Sequence, residues 1–253
     1  MINKWVAEKT NNKITELVSA DSVDALTRLI LVNAVYFKGD WLNKFSINST
    51  IVEDFHVSPQ ESVKVKMMSM KGKDFFCGYN RELKSQAIEL PYVGKNLSMF
   101  ILLPEQSATS LSDLEKKLTS DDLINVREKF KMRWNEVNLW LPRFKLDEKL
   151  SLSEVLAAMG MSHLFVPGVA DLSGIDGSNE LYVSQVLHRA VMEVNEEGTE
   201  AAAATAGTIT LLCYIEPFSF RADHPFVFFI QDKATKSILF LGRLMKPPAV
   251  PIE

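Results

Sequence analysis

The stretch from Glu193 to Thr205 restricts what this chain can fold into more than any other. An apolar strand pattern over residues 187–194 runs into Asn195-Glu196-Glu197-Gly198-Thr199-Glu200. Four alanines (Ala201, Ala202, Ala203, Ala204) follow, then Thr205-Ala206-Gly207 and an apolar patch over residues 209–215. Propensity alone favours a helix here, since Ala leads the scale and Glu is close behind. Gly198, Thr205 and Gly207 argue against a stable one. One reading is therefore an exposed linker or a surface helix. The other follows the alternation: as a strand, Thr199, Ala201, Ala203 and Thr205 share one face, and Glu200, Ala202, Ala204 and Ala206 the other. Such a segment can enter between existing strands without overpacking them, because no bulky side chain has to be accommodated.

The rest of the chain supplies the strands. The run over residues 28–37 is apolar on both faces, as a central strand covered twice should be, with Asn33 its polar exception. Residues 45–104 read as successive strands, with turns at Ser58-Pro59, Lys71-Gly72-Lys73 and Val93-Gly94-Lys95-Asn96. Residues 2–18 carry apolar side chains at amphipathic-helix spacing, weakened in the middle by Asn11-Asn12. Residues 111–130 give the best helical pattern, with Ser120 placed to cap its second piece. A strand over residues 186–194 contains His188, which by itself reads as a satisfied core histidine. Two apolar segments at residues 227–230 and 238–241 form a closing hairpin.

With 253 residues, 47% apolar and 24% charged, the chain has a sizeable core available and is not expected to be disordered. A net charge of −4 with mixed signs gives no footprint for nucleic acid or membrane. Two cysteines, Cys77 and Cys213, suit a reducing compartment. Cys213 reads equally as a reactive thiol or as a small apolar loop residue. No catalytic pattern is present. The four histidines (His56, His163, His188 and His224) fall in no metal-spaced cluster, and there is no nucleophile elbow, phosphate loop or dinucleotide fingerprint. The adjacent acids Glu196-Glu197 read as a solvated face. No enzyme, metal or cofactor is expected.

Three segments carry a resemblance. Glu-Glu-Gly-Thr-Glu-Ala-Ala-Ala-Ala-Thr, from Glu196 to Thr205, resembles the reactive-loop hinge of an inhibitory serpin. Asn33-Ala34-Val35-Tyr36-Phe37-Lys38-Gly39-Asp40-Trp41 and Ala222-Asp223-His224-Pro225-Phe226 are similar to two further signatures of that family, in the family's order. The loop and its sequel look most like the intracellular, ovalbumin-like branch. The resemblance implies an α+β fold, predominantly antiparallel β-sheets with helices on their faces and an exposed reactive loop at about residues 196–219. It treats residues 1–253 as one domain that lacks the N-terminal third of the family's chain, so Met1 is expected to be an internal point. A signal peptide upstream is therefore left open, and the cytoplasmic reading has an extracellular alternative.

The implied function is inhibition of a serine protease as a suicide substrate. The family's spacing puts the scissile bond between Leu212 and Cys213, with Leu211 or Cys213 as alternative suppliers of the recognised side chain where loop length varies. The hinge then comprises Glu197, Gly198, Thr199, Glu200, Ala201, Ala202, Ala203, Ala204 and Thr205. By the same resemblance Asn33 and His188 face each other as a latch on sheet opening, and Trp41 sits where the hinge first enters. Leu212 favours chymotrypsin-like or elastase-like enzymes over trypsin-like ones. Papain-like cysteine proteases are a further candidate, because Leu211 would suit their neighbouring apolar subsite. The alternative function is a non-inhibitory product, cleaved as a substrate or serving as an interaction module.

Overall fold

The computed structural model describes residues 1–106, 110–197 and 216–250. In chain order its helices are α1 (Ile2–Lys9), α2 (Ser110–Lys117), α3 (Ser120–Ile124), α4 (Val126–Lys129), α5 (Ser153–Leu156) and α6 (Ser173–Asp176). The strands are β1 (Leu29–Phe37), β2 (Ile51–Ser58), β3 (Glu61–Asn80), β4 (Ser85–Pro91), β5 (Leu97–Pro104), β6 (Arg133–Pro142), β7 (Phe144–Ser151), β8 (Val183–Val194), β9 (Phe218–Arg221), β10 (Phe226–Asp232) and β11 (Ile238–Leu244). The class is α+β. The chain divides into two compact units, Met1–Lys38 with Lys145–Glu193, and Gly39–Phe144 with Val194–Glu253.

The first unit holds a three-stranded sheet in the order β1-β8-β7, with β1 and β8 parallel. Alternation puts Ile30, Val32, Ala34 and Tyr36 of β1 beside Leu187 and Val191 of β8, against Val6 of α1 and the buried Ile14, Leu17 and Val18. The spacing of these last residues predicts a helix through Val18, but α1 stops at Thr10. Asn11 and Asn12 adopt φ of 49° and 58°, a left-handed conformation Asn tolerates better than most residues. Thr10 Oγ1 donates to the Val6 carbonyl and accepts from the Ile14 amide, so the chain leaves the helix with its turn hydrogen-bonded. The opposite face of β1 is not sealed: Leu31 is 43% exposed and Asn33 is exposed. The expected double cover is thus corrected to a single one among the described residues.

The second unit holds an eight-stranded sheet, β11-β10-β5-β4-β3-β6-β9, with β2 paired to β3. Pairing is antiparallel except where β9 joins β6 in parallel. The turn expected at Lys71-Gly72-Lys73 is instead a bulge within the single long strand β3. The register with β6 shifts between Met70 and Lys73, where Gly72 takes φ 63°. Helices α2, α3 and α4 cover one face through Leu111, Leu114, Leu123, Val126 and Phe130, packed on Ala87, Phe100, Leu102 and Phe229. The helical pattern over residues 111–130 is therefore three short helices. Thr119, not Ser120, caps α3, in a reciprocal capping box with Asp122.

Candidate functional site

Residues 198–215 lie outside the described residues, and with them Gly198, Thr199, Glu200, Ala201, Ala202, Ala203, Ala204, Thr205 and the Leu212-Cys213 bond. The structure describes the two stems that flank this segment in the chain, and the sheet that contains β8.

The near stem is Asn195-Glu196-Glu197, and Trp41 holds it. The indole Nε1 donates to the Asn195 carbonyl at 2.8 Å, and the Trp41 amide donates to the Glu197 carbonyl at 3.2 Å. The ring is 3% exposed and stacks on Tyr92 with centroids 4.6 Å apart and planes 12° from parallel, while Phe45 meets it edge-on. Hydrogen bonds from Leu42 to Pro91 and from Val93 to Asp40 fix the indole from behind. Burial pushes the Tyr92 hydroxyl far above its ordinary pKa, so that ring is a neutral platform.

Glu196 is the feature that sequence reading missed. It does not face solvent: it is 7% exposed, accepts from Thr50 Oγ1 at 2.9 Å and lies 3.8 Å from Arg143 Nη1. Strand alternation carried the signal, because Glu196 continues the parity of Met192 and Val194, both buried. Nothing in the sequence marked Thr50 or Arg143 as its partners. The Glu197 amide bonds to Asn195 Oδ1 at 3.1 Å, closing a small side-chain turn just before Gly198.

In the first unit, β1 pairs with β8 from Leu29 opposite Val183 to Phe37 opposite Met192, with one register shift between Leu29 and Ile30. Asn33 and His188 face each other in register, with Oδ1 and Nδ1 2.9 Å apart. His188 is half-buried and not a sealed core residue. The two flanks of β8 differ sharply. Toward β7, Arg189 donates from Nε and Nη2 to the two carboxylate oxygens of Asp147, and Lys145 approaches Glu193 at 3.8 Å; Lys13, 5.4 Å over the Tyr36 ring of β1, approaches the same carboxylate at 3.7 Å. Arg189 also bonds to the Glu16 carbonyl. Its hydrogen bonds to Asp147 hold that carboxyl below the usual range, against a smaller opposing effect of burial. Toward β1, β8 has ladder bonds, the Asn33–His188 contact and a hydrogen bond from the Arg28 amide to Ser184 Oγ at 2.9 Å, while Lys13 reaches both Tyr36 of β1 and Glu193 of β8.

The far stem is β9 with the residues after it. Arg221 pairs with Glu53 and, at 3.0 Å, with Asp223, and its guanidinium lies 5.1 Å over Trp140. Asp223 faces His224 Nδ1 at 2.9 Å, and His224 Nε2 faces the Pro104 carbonyl at 2.7 Å. Burial raises the Asp223 pKa, but the hydrogen bond and charge of His224 together with Arg221 outweigh it and leave the carboxyl below its ordinary value. Among the described residues no group of three His, Cys, Asp or Glu side chains can hold a metal, and no helix is long and apolar enough to cross a membrane.

Residues 1–247 match a family model described as serpin (serine protease inhibitor). Over 249 residues the chain is 47% identical to leukocyte elastase inhibitor of Equus caballus and 45% identical to that of Homo sapiens, covering 97% of this chain. It spans 65% of the length of those relatives. Among solved structures, uncleaved ovalbumin superposes with a TM-score of 0.86 at 36% identity, covering 97% of this chain and 61% of that one. A tumour-suppressing serpin superposes at 0.85 with 30% identity, covering 97% and 64%.

Proposed function

The chain belongs to the serpin family, and from that premise we propose that it inhibits serine proteases by offering residues 198–215 as bait. The protease serine attacks the Leu212 carbonyl. The peptide bond to Cys213 breaks, the new amine leaves with a proton, and Leu212 stays on the enzyme as an ester. The freed segment then enters the β1/β8 seam as a new strand, Glu197 and Gly198 forming the pivot and Thr199 leading. Asn33 and His188 are the latch that parts, and Trp41 marks the point of entry. Energy for this step is stored in a kinetically held native form, and no catalysis by this chain is involved.

One observation carries this reading. The segment of small residues follows in sequence on a stem bolted at Trp41 and Glu196, and that stem continues β8, the strand whose His188 faces Asn33 across its parallel pairing with β1. The preferred targets have an apolar primary pocket, chymotrypsin-like or elastase-like. The relatives' names specify elastase, and the papain-like candidate gains nothing from them. On the resemblance to the intracellular branch we read the compartment as cytoplasmic.

A second reading, a cleaved substrate or interaction module, is favoured by the position of β1, which has no strand on its outer edge among the described residues. An unsupported edge gives an opening sheet less to hold it together. Incubation with chymotrypsin and with leukocyte elastase, followed by denaturing gels and mass spectrometry, separates the two. A complex that survives SDS, with a released peptide beginning at Cys213, supports inhibition. Cleavage without a covalent complex supports the substrate reading.

A further inference from the structure

A small slot in the second unit has the chemistry of a docking point that loop insertion does not use. Its base is Glu89, 3% exposed, whose carboxylate is bound four times over. Arg127 donates from Nε and Nη2 at 2.8 Å each, Ser98 Oγ at 2.8 Å, and Lys233 Nζ lies at 3.0 Å. One buried anion thus fixes two cations, and both keep exposed N–H groups: Arg127 Nη1 takes no part in the pairing with Glu89, and the Lys233 ammonium has two further protons. Lys95 joins them from the β4–β5 turn, which the Lys233 amide holds through the Asn96 carbonyl at 2.8 Å. Among the described residues Lys95 has no ion-pair partner, and three cations line the slot against two carboxylates, Asp74 and Glu89.

The wall beside the cations is aromatic and rigid. The Arg127 guanidinium lies 4.6 Å over the Phe76 ring, and Phe76 packs on Trp134 at 4.5 Å. Trp134 is 63% exposed, on a strand whose register is fixed by β3. Tryptophan and arginine are both enriched among the few residues that carry most of the binding energy at protein interfaces. The slot encloses about 160 Å³, against about 300–1,000 Å³ for sites that hold small-molecule ligands. It has room for one side chain. Its opposite wall, Leu42 and Pro91, is one residue along the chain from Trp41 and Tyr92, the pair that clamps the near stem.

We propose that this slot receives an acidic, extended segment of a protein partner. One carboxylate is held by Lys95, Arg127 and Lys233, and an adjacent apolar or aromatic side chain lies on Trp134. Charge selects the carboxylate, volume selects a side chain over a cofactor, and the exposed indole supplies the apolar contact. The binding requires neither cleavage nor loop insertion.

The test is calorimetric titration of the intact chain with an acetylated, amidated peptide, Glu-Glu-Phe-Glu-Glu, and with its all-Gln counterpart. Trp134→Ala and Lys95→Glu serve as variants, since both side chains are exposed and removing them leaves the Glu89 network whole. A urea midpoint confirms that each variant is folded. The proposal expects the acidic peptide to bind, to weaken with added salt, and to lose about tenfold in affinity with each variant. Equal binding of the Gln peptide, or unchanged affinity in both variants, overturns it. Displacement of the peptide by millimolar inorganic sulfate also overturns it, by showing a site for small anions alone. Tighter binding of a sulfated oligosaccharide with the same Lys95 dependence overturns it in favour of a polyanion.

Discussion

Glu196 shows how much of this site depends on single polar contacts. Its carboxylate is buried one residue before Glu197, where the stem gives way to residues 198–215, so whatever satisfies it also fixes the end of that stem. Thr50→Val removes the hydroxyl donor and leaves Oε1 without its hydrogen bond. The expected cost is about 1–2 kcal/mol, read as a lower urea midpoint with unchanged slope. Faster proteolysis within residues 198–215 should accompany it, and wild-type susceptibility there would detach Thr50 from the stem. Asp223 gives a pH-dependent counterpart at the far stem. Its folded pKa is depressed relative to an unfolded carboxyl of about 3.9. Its stabilising contribution is therefore complete above that value and is lost as pH falls through the lower folded one. Asp223→Asn should be less stable than wild type at neutral pH, and the gap should close in acid. A gap that stays constant down to pH ~2 would mean the carboxylate charge contributes nothing. At this scale the sequence was only partly informative. The contact of Asn33 with His188 was anticipated through resemblance, but Thr50 and Arg143 are far from Glu196 in sequence and no local pattern joins them.

Elements were more legible than residues, and the failures have local causes. Strands β4, β5, β8, β10 and β11 follow from apolar alternation, apolar runs and turn residues, because burial on one or both faces dictates those patterns. Helix α1 falls short of its apolar pattern because hydrophobic spacing reports which residues are buried, whereas Asn11 and Asn12 decide where the backbone turns. Ile14, Leu17 and Val18 are still buried, outside the helix. Strand β3 runs through Lys71-Gly72-Lys73 because pairing with β6 resumes beyond the bulge, and that partner is invisible locally. Gly78 in the same strand makes a sharper test. A methyl group there would lie 2.2 Å from the Phe130 carbonyl oxygen and 2.9 Å from Met132 Cα, both backbone. Gly78→Ala should cost about 2–3 kcal/mol as α4 and the start of β6 are forced away. Gly174→Ala, with open space around it, should cost far less, and comparable thermal midpoints for the two would contradict the close approach. Thr119→Ala, which removes the α3 cap, should cost about 1 kcal/mol.

On the scale of the whole molecule, the seam between β1 and β8 makes a prediction that no single contact makes. A strand entering there has one face toward the side that carries Ile30, Val32, Ala34, Tyr36, Leu187 and Val191, packed on α1. By alternation Thr199, Ala201, Ala203 and Thr205 share one face of the entering strand, so whatever stands at residue 199 is the first of that row to be taken up. A threonine can satisfy its hydroxyl against a neighbouring carbonyl, while a guanidinium taken into a closing sheet loses its water without a partner. On the proposed mechanism, attack at the Leu212 bond lies well along the chain from that position and does not depend on it. Thr199→Arg should therefore leave the rate of cleavage by chymotrypsin near wild type while the yield of SDS-stable complex falls by at least about tenfold, a difference of roughly 1.4 kcal/mol between insertion and deacylation barriers. If wild type forms the complex and the variant forms it equally well, entry through the β1/β8 seam is wrong. If cleavage itself is lost, residue 199 contacts the protease directly, and the separation of bait from hinge fails.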